Sequence, residues 1–174
     1  CIKKFLRMAK NDGIKIYLNL DELKVNVQSN KTVYLLPDEM KALLKYYFNE
    51  FINPSHILPL GYFLFSCYTG LRISDIQNRT REEVLGERFQ FSSVKTDTTQ
   101  YRKLNEDARR MVEFRKELFD QKLVDQKINF HLKAVAKMCK VNKVITMHVG
   151  RHTFATTFIR NKGDIFRLQK FLGH

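Results

Sequence analysis

The chain has 174 residues, 44% of them apolar, enough to bury one main domain with room for a fragment of another. Thirty-one Lys and Arg against eighteen Asp and Glu leave a formal charge of +13, which suits a polyanionic partner. The longest apolar run, Ile57 to Tyr68, is broken by Pro59, Gly61 and Ser66 and falls short of the roughly 20 residues a membrane helix needs, so it predicts a buried helix and no membrane partner.

From the start, Ile2, Phe5, Leu6 and Ala9 fall at helical spacing, and Asn11-Asp12-Gly13 supplies a stop. The segment from Ile14 to Thr32 loses that period and ends in Gln28-Ser29-Asn30-Lys31, the composition of a linker. A firm helix opens at Pro37, with Asp38 and Glu39 at the positive end of its dipole, and Met40, Leu43, Leu44, Tyr47 and Phe51 form one apolar stripe. The buried helix runs from about Leu58 to Tyr68 and is ended by Thr69-Gly70; a short helix follows from about Ser74 to Arg79.

Between Arg88 and Leu104, Phe89, Phe91 and Val94 precede a polar turn from Lys95 to Gln100, and Tyr101 and Leu104 follow it, which reads as a hairpin. Helices are predicted again from Asn105 to Lys122 and from Ile128 to Lys140. In the second, Ile128, Leu132, Val135, Ala136 and Cys139 face inward, while Lys133, Lys137 and Lys140 line the other side as a candidate DNA-backbone stripe or the wet face of an amphipathic helix. From Lys127 to His174 there are ten Lys or Arg and one carboxylate, Asp164, so this third of the chain is the part expected to meet phosphate. Cys1, Cys67 and Cys139 show neither disulfide nor metal-ligand spacing, which favours a reducing cytosol.

Breaking a phosphodiester with a side-chain nucleophile puts extra negative charge on the non-bridging oxygens, and rigid donors aimed at them are the largest catalytic contribution available. A guanidinium fork holds two such oxygens and stays charged. Arg72, after Thr69-Gly70-Leu71, and Arg151, after Gly150, are the candidates; His148 and His174 could add proton transfer and a further donor, and Lys95 could protonate a leaving oxygen.

Taken in order, Thr69-Gly70-Leu71-Arg72, Lys95, the block His148 to Thr156 and Leu172-Gly173-His174 resemble the tyrosine recombinase and phage integrase family from about Leu35 to His174. The resemblance implies a mainly helical catalytic-domain fold with a small antiparallel sheet at residues 31–174, and makes residues 1–30 the end of an N-terminal core-binding domain plus its linker. It implies that Arg72 and Arg151 clamp the scissile phosphate, that His174 donates to it, and that Lys95 is the general acid for the leaving 5′-hydroxyl. His148 would support the tyrosine by acid-base transfer, with Asp75 and His152 in orienting roles. The implied reaction is transesterification through a 3′-phosphotyrosyl bond, which needs no metal or nucleotide cofactor.

The resemblance also implies duplex DNA as partner, self-association on it as a tetrameric synaptic complex, and a bacterial, cytoplasmic, nucleoid-associated integrase that integrates or excises a mobile element or phage. The family's nucleophile follows its leucine-glycine-histidine, and none of the tyrosines at 17, 34, 46, 47, 62, 68 and 101 matches its motif, so no nucleophile is assigned in this chain. Gly150 stands where leucine is commoner, which implies a looser local backbone.

Other readings fit less well. A metal-dependent nuclease needs converging carboxylates, which Asp75, Glu82, Glu83 and Asp97 do not suggest by their spacing. His148 and His152 at i and i+4 lack the glutamate of a zinc helix. A type IB topoisomerase shares the chemistry, but the block around His148 is of the integrase kind. The main alternative is a recombinase-fold DNA-binding protein without cleavage activity.

Overall fold

The computed structural model describes residues 32–86, 89–92 and 99–172, with backbone only at 89–92 and 99–102. The helix and linker expected before residue 32, the N-terminal domain boundary, Lys95 with its hairpin tip, and His174 lie outside the described residues. The described chain is mainly helical.

Helix α1, Pro37–Tyr47, begins at a proline whose missing N–H costs nothing in a first turn, and Glu39 reaches back to accept the Leu36 N–H at 2.7 Å. Leu43 and Tyr47 are fully buried, as the stripe predicts, but Phe51 is 93% exposed and lies beyond the helix. The helix stops because Asn49 turns the chain, its side-chain oxygen accepting the Phe51 N–H at 2.8 Å. Arg115 then donates to the freed carbonyls of Tyr47, at 3.4 Å, and Asn49, at 2.9 Å.

Helix α2, Pro54–Thr69, starts four residues earlier than the sequence suggests, because Asn53 caps it by accepting the Ser55 N–H at 3.0 Å. Leu60, Tyr62, Phe63, Leu64 and Phe65 are all buried, so apolar side chains surround this helix and it forms the centre of the core. It packs chiefly against the helices at Asp125–Met138 and Met147–Arg160, and also against α1, the helix at Glu106–Phe114 and a 3₁₀ turn. None of the described helices is long and apolar enough to cross a membrane.

Beyond α2 come the short helices α3, Ile73–Gln77, and α4, Arg81–Leu85, the latter held by a reciprocal Thr80–Glu83 capping box that the sequence reading passed over. Strands β1, Phe89–Ser92, and β2, Thr99–Arg102, pair antiparallel, with Phe89 opposite Arg102 and Ser92 opposite Thr99.

The single helix expected from Asn105 to Lys122 is divided in two. Helix α5, Glu106–Phe114, is capped by Asn105; Arg115 is extended at φ −112°, and a 3₁₀ turn, Lys116–Phe119, follows. The reason is the same Arg115, whose guanidinium is committed to the carbonyls at the end of α1.

Helix α6 spans Asp125–Met138 rather than Ile128 to Lys140. Ile128, Leu132, Val135 and Ala136 are buried as expected, whereas Lys140 lies past the helix with φ 55°, so it does not extend the Lys133–Lys137 row. Helix α7, Met147–Arg160, and helix α8, Ile165–Leu172, complete the described chain, and Phe154, Phe158 and Phe171 stack between them.

Candidate functional site

The end of α2 sets the site's geometry. Gly70 adopts φ 69°, a left-handed turn that glycine takes without Cβ strain, and a Cβ there would come within 2.4 Å of the Phe154 ring. Ser66 Oγ donates to the Leu71 carbonyl at 2.9 Å and Thr69 Oγ1 to the Phe65 carbonyl at 2.7 Å, so the whole Thr69-Gly70-Leu71 corner is tied to the core. Arg72 leaves this corner at the first position before α3. Gln77 anchors α3 at its far end: its amide donates to the Leu123 carbonyl at 2.9 Å and accepts the Leu123 N–H at 3.2 Å.

Arg151 comes from the second turn of α7. That helix can approach α2 closely because Gly150 is buried against it; a Cβ at this position would lie 3.1 Å from the Phe63 carbonyl oxygen and 3.2 Å from Ser66 Cβ. The glycine therefore marks tight helix packing, and the looser backbone expected at this position is not found.

Across this contact Arg151 Nη1 donates to the Gly70 carbonyl at 2.9 Å. Its Nη2 donates to the Leu172 carbonyl at the end of α8, and Arg72 Nη2 reaches the same oxygen at 3.4 Å. Two guanidinium groups, 79 positions apart in sequence, thus converge on one oxygen. Burial, then the neighbouring Arg72 charge, lowers the pKa of Arg151 to about 10, while the buried Asp75 carboxylate acts in the opposite direction. Arg151 remains cationic at neutral pH, and an oxyanion between the two arginines would relieve their mutual repulsion.

His148, Arg151 and His152 stand at i, i+3 and i+4 on α7 and so share a face. The two imidazoles meet edge to face with ring centres 4.8 Å apart. Burial, and then the charges of His148 and Arg151, lower the His152 pKa, so His152 is neutral at pH 7. His148 itself is exposed.

An open cleft of about 670 Å³ has walls that include Arg72, Ser74, Asp125, Asn129, His148 and Arg151. The structure therefore brings Arg72, His148 and Arg151 together, with Asp75 buried on α3 and His152 one turn along α7. Lys133 and Lys137 are exposed on α6 and follow Asn129 at four-residue steps, which puts the three on one side of the helix. The sequence reading missed Gln77 and Asn129. Asn129 Oδ1 accepts the Met147 N–H at 3.1 Å and so caps α7 from a different helix, a contact that no local sequence pattern reveals.

The phage integrase family model matches residues 33–174. Tyrosine recombinase XerD from two strains of Listeria monocytogenes, serotype 4b (strain F2365) and serovar 1/2a (strain ATCC BAA-679 / EGD-e), is 27% identical over 170 residues, covering 93% of this chain and 55% of the relative. The chain thus spans about half the length of the curated relatives it matches. Among solved structures, XerA recombinase superposes with TM-score 0.64 at 23% identity, over 99% of this chain and 65% of its own. The Tn1549 transposon integrase in complex with a circular intermediate DNA gives TM-score 0.68 at 15% identity, over 98% and 67%. A lambda integrase dimer bound to a COC′ core site gives 0.64 at 16%, over 99% and 66%. At these identities the likeness is one of fold. With the family model covering most of the sequence and the arginine corner built from that family's motifs, the chain belongs to the phage integrase family.

Proposed function

We propose that this chain carries the phosphate-gripping site of a site-specific DNA recombinase that cuts and rejoins duplex DNA by transesterification, in the integration or excision of a mobile element. The observation that carries the reading is the convergence of Arg72 and Arg151 on a single oxygen, since a cleft with two forked cations on one point is built for a phosphodiester.

In this reading the scissile phosphate displaces the Leu172 carbonyl from between the two forks, and its non-bridging oxygens receive the N–H donors as the phosphorane forms. A tyrosine hydroxyl attacks phosphorus, passing its proton toward His148; the P–O5′ bond breaks, and Lys95 protonates the departing 5′-oxygen. His174 adds a donor to the phosphate. The bond energy is kept in the phosphotyrosyl ester, so rejoining is the same step run backwards by a new 5′-hydroxyl. Asp75 sets the charge balance under Arg151, and the exposed Lys133 and Lys137, with Lys140 beyond the helix end, hold flanking backbone phosphates. The reaction places the protein on duplex DNA as a synaptic assembly of several protomers.

The test is Arg151→Ala in the full-length protein. Strand cleavage should fall by roughly 100- to 1000-fold, the usual cost of removing one oxyanion donor, while most duplex affinity survives through the other backbone contacts. If affinity and cleavage fall together, the clamp assignment is wrong. If the parent binds duplex and never cleaves it, the chain belongs to a DNA-binding member of the family.

A further inference from the structure

We propose that Asn129 of α6 is a third, neutral donor to the bound phosphodiester, aimed by the same hydrogen bond with which it caps α7. The inference rests on the phosphate reading of the cleft above.

Helix α7 begins without a cap of its own. Thr146 makes no side-chain hydrogen bond there, and the first turn contains no acidic residue to complement the helix dipole. The Met147 N–H is instead satisfied by Asn129 Oδ1, at 3.1 Å, from a residue eighteen positions earlier. This bond settles which way the amide faces: its oxygen is turned to α7, so its nitrogen must be turned away from it.

Asn129 also lines the cleft beside Arg72, His148 and Arg151. Among the described residues the Asn129 amide nitrogen has no hydrogen-bond partner, although it carries two N–H donors. A planar amide with its acceptor consumed and both donors unspent, on the wall of a cleft with two cations, suits a ligand rich in acceptors. A phosphodiester oxygen is that ligand. An uncharged donor adds grip here without adding to the Arg72–Arg151 repulsion, which together with the larger effect of burial holds down the Arg151 pKa.

The cap and the donor can be separated by measuring thermal unfolding in inorganic phosphate against chloride of equal ionic strength. The parent should gain Tm specifically in phosphate. Asn129→Ala removes both functions: its Tm without phosphate should drop, and its apparent phosphate affinity should fall about tenfold, the scale of one hydrogen bond to a charged group. Asn129→Asp retains an oxygen for the Met147 N–H, so its Tm without phosphate should equal or exceed the parent's, yet its phosphate response should be lost.

Retention of the parent's phosphate response by either variant overturns the proposal and leaves Asn129 a cap only. Arg151→Ala, run alongside, distinguishes the two levels. If it too retains the response, the phosphate reading of the cleft fails; if it loses the response while an Asn129 variant keeps it, only the present inference fails.

Discussion

Gly150 offers a sharp test of how the site is assembled, because leucine is commoner at this position in the family. The structure predicts that the leucine does not fit here. A Cβ at residue 150 would lie 3.1 Å from a backbone oxygen of α2 and 3.2 and 3.3 Å from Ser66 Cβ and Oγ, each a few tenths of an ångström inside ordinary contact. For alanine, that compression is offset by the roughly 1 kcal/mol that alanine gains over glycine in a helix interior, so Gly150→Ala should change stability by less than about 1 kcal/mol.

Leucine adds three more carbons directed at the α2 backbone. Overpacking on that scale costs about 1–3 kcal/mol, and a value near 3 is expected because the nearest obstacle is main chain rather than a flexible side chain. For a unit of this size that lowers Tm by roughly 6 to 12 °C. The displaced α7 would also lengthen the Arg151–Gly70 contact, now 2.9 Å, and so weaken the phosphate binding proposed above. Urea and thermal unfolding of the parent and both variants, with phosphate titration, check this. A Gly150→Leu protein as stable as the parent would refute the claim that α2 and α7 meet at residue 150.

Two further outcomes follow from the electrostatics. Asp75 is 2% exposed and counteracts the Arg72 charge felt by Arg151, so Asp75→Ala should destabilise the fold by about 2 kcal/mol, a figure reduced for the partial exposure of Arg151. Denaturant titration measures it, and an unchanged midpoint would count against this electrostatic role of Asp75. Burial lowers the pKa of His56, which shares a 2.9 Å hydrogen bond with Tyr46 Oη, and also that of His152. The unfolded chain therefore binds protons more readily than the folded one, so this contribution is complete above about pH 6.5 and is lost as pH falls through the lowered folded values. Tm recorded from pH 8 to 5 should fall less steeply in His56→Gln than in the parent; parallel curves would remove His56 as a cause.

Much of the site is local and therefore readable in the chain. The left-handed corner at Gly70 follows from a glycine after a long apolar helix, and the shared face of His148, Arg151 and His152 follows from helical spacing alone. The apolar face of α6, with Ile128, Leu132, Val135 and Ala136 inward, is legible for the same reason. The family motifs around Arg72 and Arg151 are contiguous words, and such words survive in a single sequence.

Other features depended on partners distant in sequence. Arg115 reads as an ordinary residue inside a helix running from Asn105 to Lys122, yet it breaks that helix to serve the carbonyls of Tyr47 and Asn49, which the Asn49 turn at the end of α1 leaves free. Gly150 reads as slack until α2 is placed 3.1 Å from its missing Cβ. Asn129 reads as one polar residue on an amphipathic helix until α7 is seen to begin on its amide. The sequence by itself singled out the candidates for gripping a phosphate, because residue chemistry and helical period are properties of short segments. Only the tertiary structure decided that Arg72 and Arg151 meet on one oxygen and what holds them there, because hydrogen-bond satisfaction and close packing are settled between segments that the chain keeps far apart.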